Sequence, residues 1–188
     1  ASRPDELQRA LSQQETLVAE LAELSVRDPL TGLHNRRHAD DEIPRMVASA
    51  DRHGQPLALA MADLDHFKVV NDEHSYSIGD EVLRTFARLL SENARASDLV
   101  VRYGGEEFLL VMPQTGLDQA VLVCERVRRA VAAHDWGRVV PGLHVTVSCG
   151  VASTVQSVGL VTLVAAADAA LHEAKRSVVQ ALEQPLPV

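Results

Sequence analysis

Two acidic clusters in this chain are placed to work on phosphate. One is Asp63-Leu64-Asp65, which ends the apolar run Leu57-Ala58-Leu59-Ala60-Met61-Ala62; the other is Glu106-Glu107, directly after Gly104-Gly105. The glycine pair lies between the β-rich runs 98–103 and 108–112. Two apolar runs joined in this way predict a tight hairpin, and its primed turn needs positive φ. Adjacent carboxylates on such a turn repel each other. A divalent metal makes the arrangement favourable, and bare glycines let a phosphate approach the backbone. For the turn alone, a surface hairpin with solvated acids is the alternative. Alternation places Asp63 and Asp65 on one face if the strand persists that far. Carboxylates at a strand end, facing an acidic hairpin, suit a pair of Mg²⁺ ions about 3.5–4 Å apart that activate an attacking oxygen and neutralise a leaving phosphate. Lys68 adds a point charge for phosphate. Asp65 has a second reading, as the N-cap of a helix beginning at His66.

The elements that must position these groups read as an α/β alternation. A helix is expected from Asn35 to about Arg52, and Gly54-Gln55-Pro56 turns the chain into the strand ending at Asp63. Val82, Leu83, Phe86, Leu89 and Leu90 have helical spacing over about Gly79 to Asn93. After the hairpin, Gly116 opens a helix to about His134, a strand covers Leu143 to about Ala152, and a last helix spans roughly Leu160 to Arg176. Near the start, Leu7, Ala10, Gln14, Leu17, Leu21 and Leu24 form an a/d seam flanked by Glu6, Arg9, Glu15, Glu20 and Glu23. A lone helix of this length is marginal in water, so it needs a partner. That partner is a second copy in parallel or the helix's own domain.

Composition bounds the possibilities. The 188 residues suit one compact domain with an extension. The apolar fraction of 46% supports a core, which three Phe, two Tyr and one Trp leave to Val, Leu and Ala. A net charge of −8 with no basic stripe argues against nucleic acid as a partner. Cys124 and Cys149, in helical and strand-like apolar contexts, read as buried reduced thiols of a cytoplasmic protein. No apolar run approaches the ~20 residues that span a bilayer, so no membrane contact is expected of this segment. The chain begins Ala1-Ser2-Arg3-Pro4 without a methionine, and a longer protein with an upstream sensor or membrane region is expected.

Several motifs now combine. Asp63-Leu64-Asp65-His66-Phe67-Lys68-Val69-Val70-Asn71-Asp72, then Gly79-Asp80, then Arg102-Tyr103-Gly104-Gly105-Glu106-Glu107-Phe108 resemble the GGDEF family of diguanylate cyclases. Asp28-Pro29-Leu30-Thr31-Gly32-Leu33-His34-Asn35-Arg36-Arg37, Ser148-Cys149-Gly150-Val151-Ala152 and the run from Ala167 to Lys175 match as well, in the family's order. The resemblance covers roughly residues 25 to 180. It implies an α/β (α+β) fold with a central, mostly antiparallel sheet flanked by helices, similar to nucleotidyl cyclases and polymerase palms. The implied division is a signalling or dimerisation helix of coiled-coil type over 1–26, a catalytic domain over 27–182 and a tail over 183–188.

The resemblance also implies a reaction: two GTP molecules condense to cyclic di-3′,5′-guanylate with release of two pyrophosphates. Each 3′-hydroxyl attacks the other nucleotide's α-phosphorus, so two domains must face each other in a homodimer. By the same likeness Asp63, Glu106 and the Leu64 carbonyl ligate Mg²⁺, with Mn²⁺ as an alternative. Lys68 stabilises charge, and Glu107 helps deprotonate the hydroxyl. Phe67, Gly104, Gly105 and Lys175 contact substrate, and Asn71 and Asp80 read guanine. Arg95-Ala96-Ser97-Asp98 stands five residues before Gly104, the spacing of the family's RxxD inhibitory site for cyclic di-GMP. Alone, Arg95 and Asp98 read as a helix-end salt bridge. Arg126 or Arg129 on the following helix could complete the inhibitory site.

Two departures bear on activity. Ser75-Tyr76 stands where the family carries Gly-His, and Val178-Val179-Gln180 stands where it carries Gly-Arg-Asn, which removes a phosphate-binding arginine that Arg176 partly replaces. One charge-assisted hydrogen bond is worth about 1.5–3 kcal/mol, roughly ten- to a hundredfold in affinity. The sequence therefore predicts an active, sluggish cyclase under product control. The competing readings are a relative without turnover that senses cyclic di-GMP through Arg95 and Asp98, and a purine nucleotide cyclase or polymerase-like domain.

Overall fold

The computed structural model describes residues 3–154 and 160–183. Helix α1 (Arg3–Val26) leads into β1 (His34–Asn35), α2 (Arg36–His53), β2 (Leu57–Leu64), α3 (Phe67–Glu73), α4 (Tyr76–Asn93), β3 (Leu99–Arg102), β4 (Glu107–Pro113), α5 (Leu117–Ala133), β5 (Val147–Ser153) and α6 (Leu160–Glu183). The strands form one sheet in the order β1-β3-β4-β2-β5. Only the β1–β3 pair is parallel; the other three pairs are antiparallel. This is the mostly antiparallel, helix-flanked sheet that the sequence predicted.

All eight residues of β2 are buried, because strands pair on both sides of it and helices cover both faces. Alternation divides them. Ala58, Ala60 and Ala62 face one core, with Val82, Phe86, Phe108 and Val127. Leu57, Leu59 and Met61 face the other, with Ile43, Val101, Val111, Leu163 and Leu171. The alanines leave room for the Phe86 and Phe108 rings, which meet edge to face at 4.7 Å. Helix α1 carries exposed Leu11, Leu17, Val18 and Leu21, an apolar stripe without cover from its own domain.

Several boundaries differ from the sequence expectation. Helix α4 begins at Tyr76 rather than Gly79, because the Ser75 hydroxyl accepts the Ile78 N–H at 3.3 Å and caps it. Strand β5 begins at Val147, not Leu143. Its partner β2 ends at Leu64, opposite Val147, and a turn through Gly142 at φ 83° precedes it. Helix α6 continues to Glu183, past the expected Arg176.

Gly150 is where β5 and α6 pack most closely. A Cβ there would lie 2.1 Å from the Leu171 backbone nitrogen and 2.2 Å from the Ala167 carbonyl oxygen. Both are main-chain atoms of a helix and cannot step aside. Gly150→Ala is expected to cost about 1–3 kcal/mol or more by overpacking. A thermal melt at this chain length should register roughly 2–4 °C for each kcal/mol.

Candidate active site

The site forms where β2 ends. Asp63 lies opposite Glu107 of β4 on one side and Ser148 of β5 on the other. Its side chain points toward α6, where Lys175 Nζ lies 2.5 Å from Oδ1. Burial pushes the Asp63 carboxyl above its ordinary pKa and Asp65 adds to this, while Lys175 opposes it; the net shift is upward. Glu106 is also pushed up, first by burial and then by the negative charges of Asp63 and Glu107, again against Lys175. Asp63, Glu106 and Glu107 therefore share one electrostatic neighbourhood, with one ammonium as counter-charge. Among the described residues no three His, Cys, Asp or Glu side chains form a metal cage by themselves. Two carboxylates with a carbonyl, leaving positions for water and phosphate, match the donor set Mg²⁺ prefers. The donors present fit such an ion.

The acidic turn is held differently from the predicted primed hairpin. Neither Gly104 nor Gly105 has positive φ. The turn spans 103–106, with the Tyr103 and Gly104 N–H groups donating to the Glu107 carbonyl at 2.8 and 3.1 Å. Gly104 instead leaves room for its neighbour: a Cβ there would lie 2.7 Å from Glu107 Oε2, so a side chain would displace that carboxylate. Outside the turn, Arg102 donates to the Gly105 carbonyl at 2.8 and 3.2 Å and to both Asp28 oxygens at 3.1 and 3.2 Å. Asp28 also accepts the Thr31 N–H and hydroxyl. The Leu64 N–H donates to the Glu106 carbonyl at 3.3 Å, tying the turn to β2. Glu107 faces a cavity of about 480 Å³ between α2 and α6, lined also by Asp40, Met61, Tyr103, Val164 and Asp168.

Asp65 neither shares a face with Asp63 nor caps a helix. Strand β2 stops at Leu64, and the N-cap of α3 is His66, at φ 54° with no side-chain cap bond. The Asp65 carboxylate accepts the Thr146 and Ser148 hydroxyls, each at 2.7 Å, and its N–H donates to the Thr146 carbonyl at 2.9 Å. Strand β5 thus grips the chain between Leu64 and α3. Phe67 is buried, and Lys68 is exposed beside it. Asn71 closes on Gly79, where a Cβ would lie 1.9 Å from Asn71 Oδ1. That oxygen is buried and has no hydrogen-bond partner among the described residues. Asp80 follows on α4, half-buried, and Tyr76 is 80% exposed.

Farther away, Asp98 Oδ2 accepts the Arg95 backbone N–H at 2.7 Å, so the two residues meet through main chain instead of a salt bridge. Asp98 Oδ1 is buried without a partner among the described residues. Arg126 donates to the Asn93 side chain and carbonyl, and Arg129 pairs with Glu125. Arg176 pairs with Glu173. The side chains of Val178, Val179 and Gln180 lie outside the described residues. Sequence reasoning missed Asp28, Arg102, Thr146 and Ser148 as positioning groups. Asp28 with Thr31 three residues on was a readable local turn; the pairing with Arg102 had no local signal.

The sheet is mostly antiparallel, with one carboxylate at the end of interior strand β2 and two more on the neighbouring β3–β4 turn. The family described as diguanylate cyclase, GGDEF domain, matches residues 25–180, and the chain belongs to it. Response regulator PleD of Caulobacter vibrioides is 46% identical over 136 residues, 70% of this chain and 30% of PleD. Diguanylate cyclase DgcP of Pseudomonas aeruginosa is 37% identical over 153 residues, 81% of this chain and 23% of DgcP. The chain thus spans less than a third of these relatives. Among solved structures, the coiled coil and GGDEF domain of DgcB from Caulobacter crescentus, in complex with c-di-GMP, superposes with a TM-score of 0.85 at 28% identity, over 93% of each chain. Diguanylate cyclase SiaD of Pseudomonas aeruginosa, in complex with its activator SiaC, gives 0.76 at 42% identity, over 93% of this chain and 67% of that one.

The Asp28–Arg102 pair yields a stability test. Burial alone would raise the Asp28 pKa, but the Thr31 hydrogen bonds and the Arg102 charge outweigh it and hold the group below its ordinary 3.8. A depressed carboxyl contributes stability above its unfolded pKa and loses it as pH falls through the folded one. Asp28→Asn should therefore flatten the fall in stability from about pH 3.8 downward. A double-mutant cycle of Asp28→Asn with Arg102→Gln should give a coupling of about 0.5–3 kcal/mol in urea unfolding.

Proposed function

We propose that this domain is an active, Mg²⁺-dependent diguanylate cyclase that condenses two GTP into cyclic di-GMP across a homodimer and is inhibited by its product. The observation that carries the reading is the convergence of buried Asp63 and the Glu106-Glu107 turn on one ammonium, Lys175. Asp63, Glu106 and the Leu64 carbonyl hold the metal, which neutralises triphosphate charge when bound. Gly104 and Gly105 let the phosphates approach the main chain. Lys68 stands free at the start of α3 to meet them, and Lys175 exchanges its carboxylate partner for phosphate as GTP enters. Such preorganised charge is the main catalytic contribution available in phosphoryl transfer.

Glu107 takes the proton of the 3′-hydroxyl as that oxygen attacks the α-phosphorus of the nucleotide on the facing domain, and pyrophosphate leaves. Phe67 walls the nucleotide pocket. Asn71, with its unpaired oxygen beside Gly79, and Asp80 read guanine. A carboxylate can accept from guanine N1–H and the 2-amino group together, a pair adenine lacks on that edge. Arg95 and Asp98 hold the product, with the buried, unpaired Asp98 Oδ1 as an acceptor awaiting a donor.

Purified protein and a leucine-zipper fusion, incubated with GTP and Mg²⁺, should yield cyclic di-GMP by mass-resolved chromatography. Glu106→Gln should lower the rate by about a hundredfold or more, as loss of a central electrostatic group does. Asp98→Ala should keep the initial rate and weaken cyclic di-GMP binding by roughly ten- to a hundredfold. No product even from the fusion would overturn the enzyme reading; tight cyclic di-GMP binding by that same protein would then favour a sensor.

A further inference from the structure

The chain's two cysteines, distant in sequence, meet on one cavity. Cys124 of α5 and Cys149 of β5 line a space of about 330 Å³ with Val121, Glu125, Arg128 and Ala170. Both thiols are free, and each shifts the other's pKa across the short space between them. No residue given a catalytic or nucleotide-binding role lines this cavity.

We propose that Cys124 and Cys149 form a dithiol site that hydrogen peroxide entering this cavity oxidises to a disulfide joining α5 to β5. Cys149 beside it holds the Cys124 thiol below its ordinary pKa, while Cys124 and burial push Cys149 up. On the cavity wall the Arg128 guanidinium is paired with Glu125 at 2.7 Å and opposes, more weakly, the upward push on Cys149. The Cys124 thiolate attacks one peroxide oxygen: an S–O bond forms, the O–O bond breaks, and hydroxide leaves to become water. Cys149 sulfur, giving up its proton, then attacks the sulfenic sulfur; an S–S bond forms, the S–O bond breaks, and a second water leaves. Two thiols are oxidised and one peroxide is reduced.

Closing the bond draws the two sulfurs from contact to covalent distance. Gly150 already abuts the α6 backbone, and Ser148 is bonded to Asp65, so β5 is fixed and α5 must move. Helix α5 also carries Arg126, which holds Asn93, two residues before Arg95.

The test uses the folded chain treated with hydrogen peroxide, quenched, unfolded, and analysed by thiol titration and peptide mass mapping. Both thiols should disappear together, the mass should fall by two hydrogen atoms, and one linked peptide should contain Cys124 and Cys149. Dithiothreitol should restore both thiols. In Cys149→Ser, Cys124 should instead be trapped by dimedone as a sulfenic acid. Two titratable thiols after treatment would overturn the proposal, as would sulfinic acid or interchain linkage without the linked peptide. None of these readouts depends on cyclase activity.

Discussion

Like-charge repulsion at the end of a buried strand is the constraint around which this domain is arranged. Asp63 is 7% exposed, and the Glu106-Glu107 turn packs against the same strand end. Carboxylates so placed favour moving apart or taking up protons. The fold prevents the first by fixing both elements in one antiparallel ladder, and Lys175 counters the second from α6. The site is consequently under electrostatic tension before any ligand arrives, and a polyvalent cation is the species best able to relieve it.

The backbone around the site is held by bonds from outside it. Ser148 of β5 and Thr146 just before it grip the end of β2 through Asp65, and Arg102 grips the turn from behind. Glycine serves in both places by absence of a side chain. At Gly104 the missing Cβ admits a carboxylate, and at Gly150 it admits a helix backbone. Neither glycine has positive φ; steric room is what Gly150 demands, because main-chain atoms face it, whereas Gly104 yields space that sets where Glu107 lies.

That distinction marks how far the sequence could be read. The β2 run, the helical spacings and the order of motifs gave the elements and the family, because periodicity and short-range spacing are local properties. Asp63 and the Glu106-Glu107 pair were legible as acids at a strand end and on a turn for the same reason. The turn type was misread because a glycine pair beside apolar runs looks alike whether φ or space is limiting. Asp65 was misassigned because its partners lie on β5, and a hydrogen bond between residues so far apart leaves no trace in either local pattern. The pairing of Arg102 with Asp28 escaped notice for that reason too.

The Asp28–Arg102 bond has a mechanical meaning. Asp28 lies just beyond the last residue of α1, and Arg102 lies at the base of the acidic turn. A helix of α1's length is a stiff rod roughly 36 Å long. Force applied along such a rod is delivered at its foot, where the chain is anchored by the Arg27–His34 bridge and by Asp28. One planar guanidinium is bonded both to Asp28, two residues past the foot of the rod, and to the Gly105 carbonyl, so the rod's anchor and the acidic turn's anchor are a single side chain.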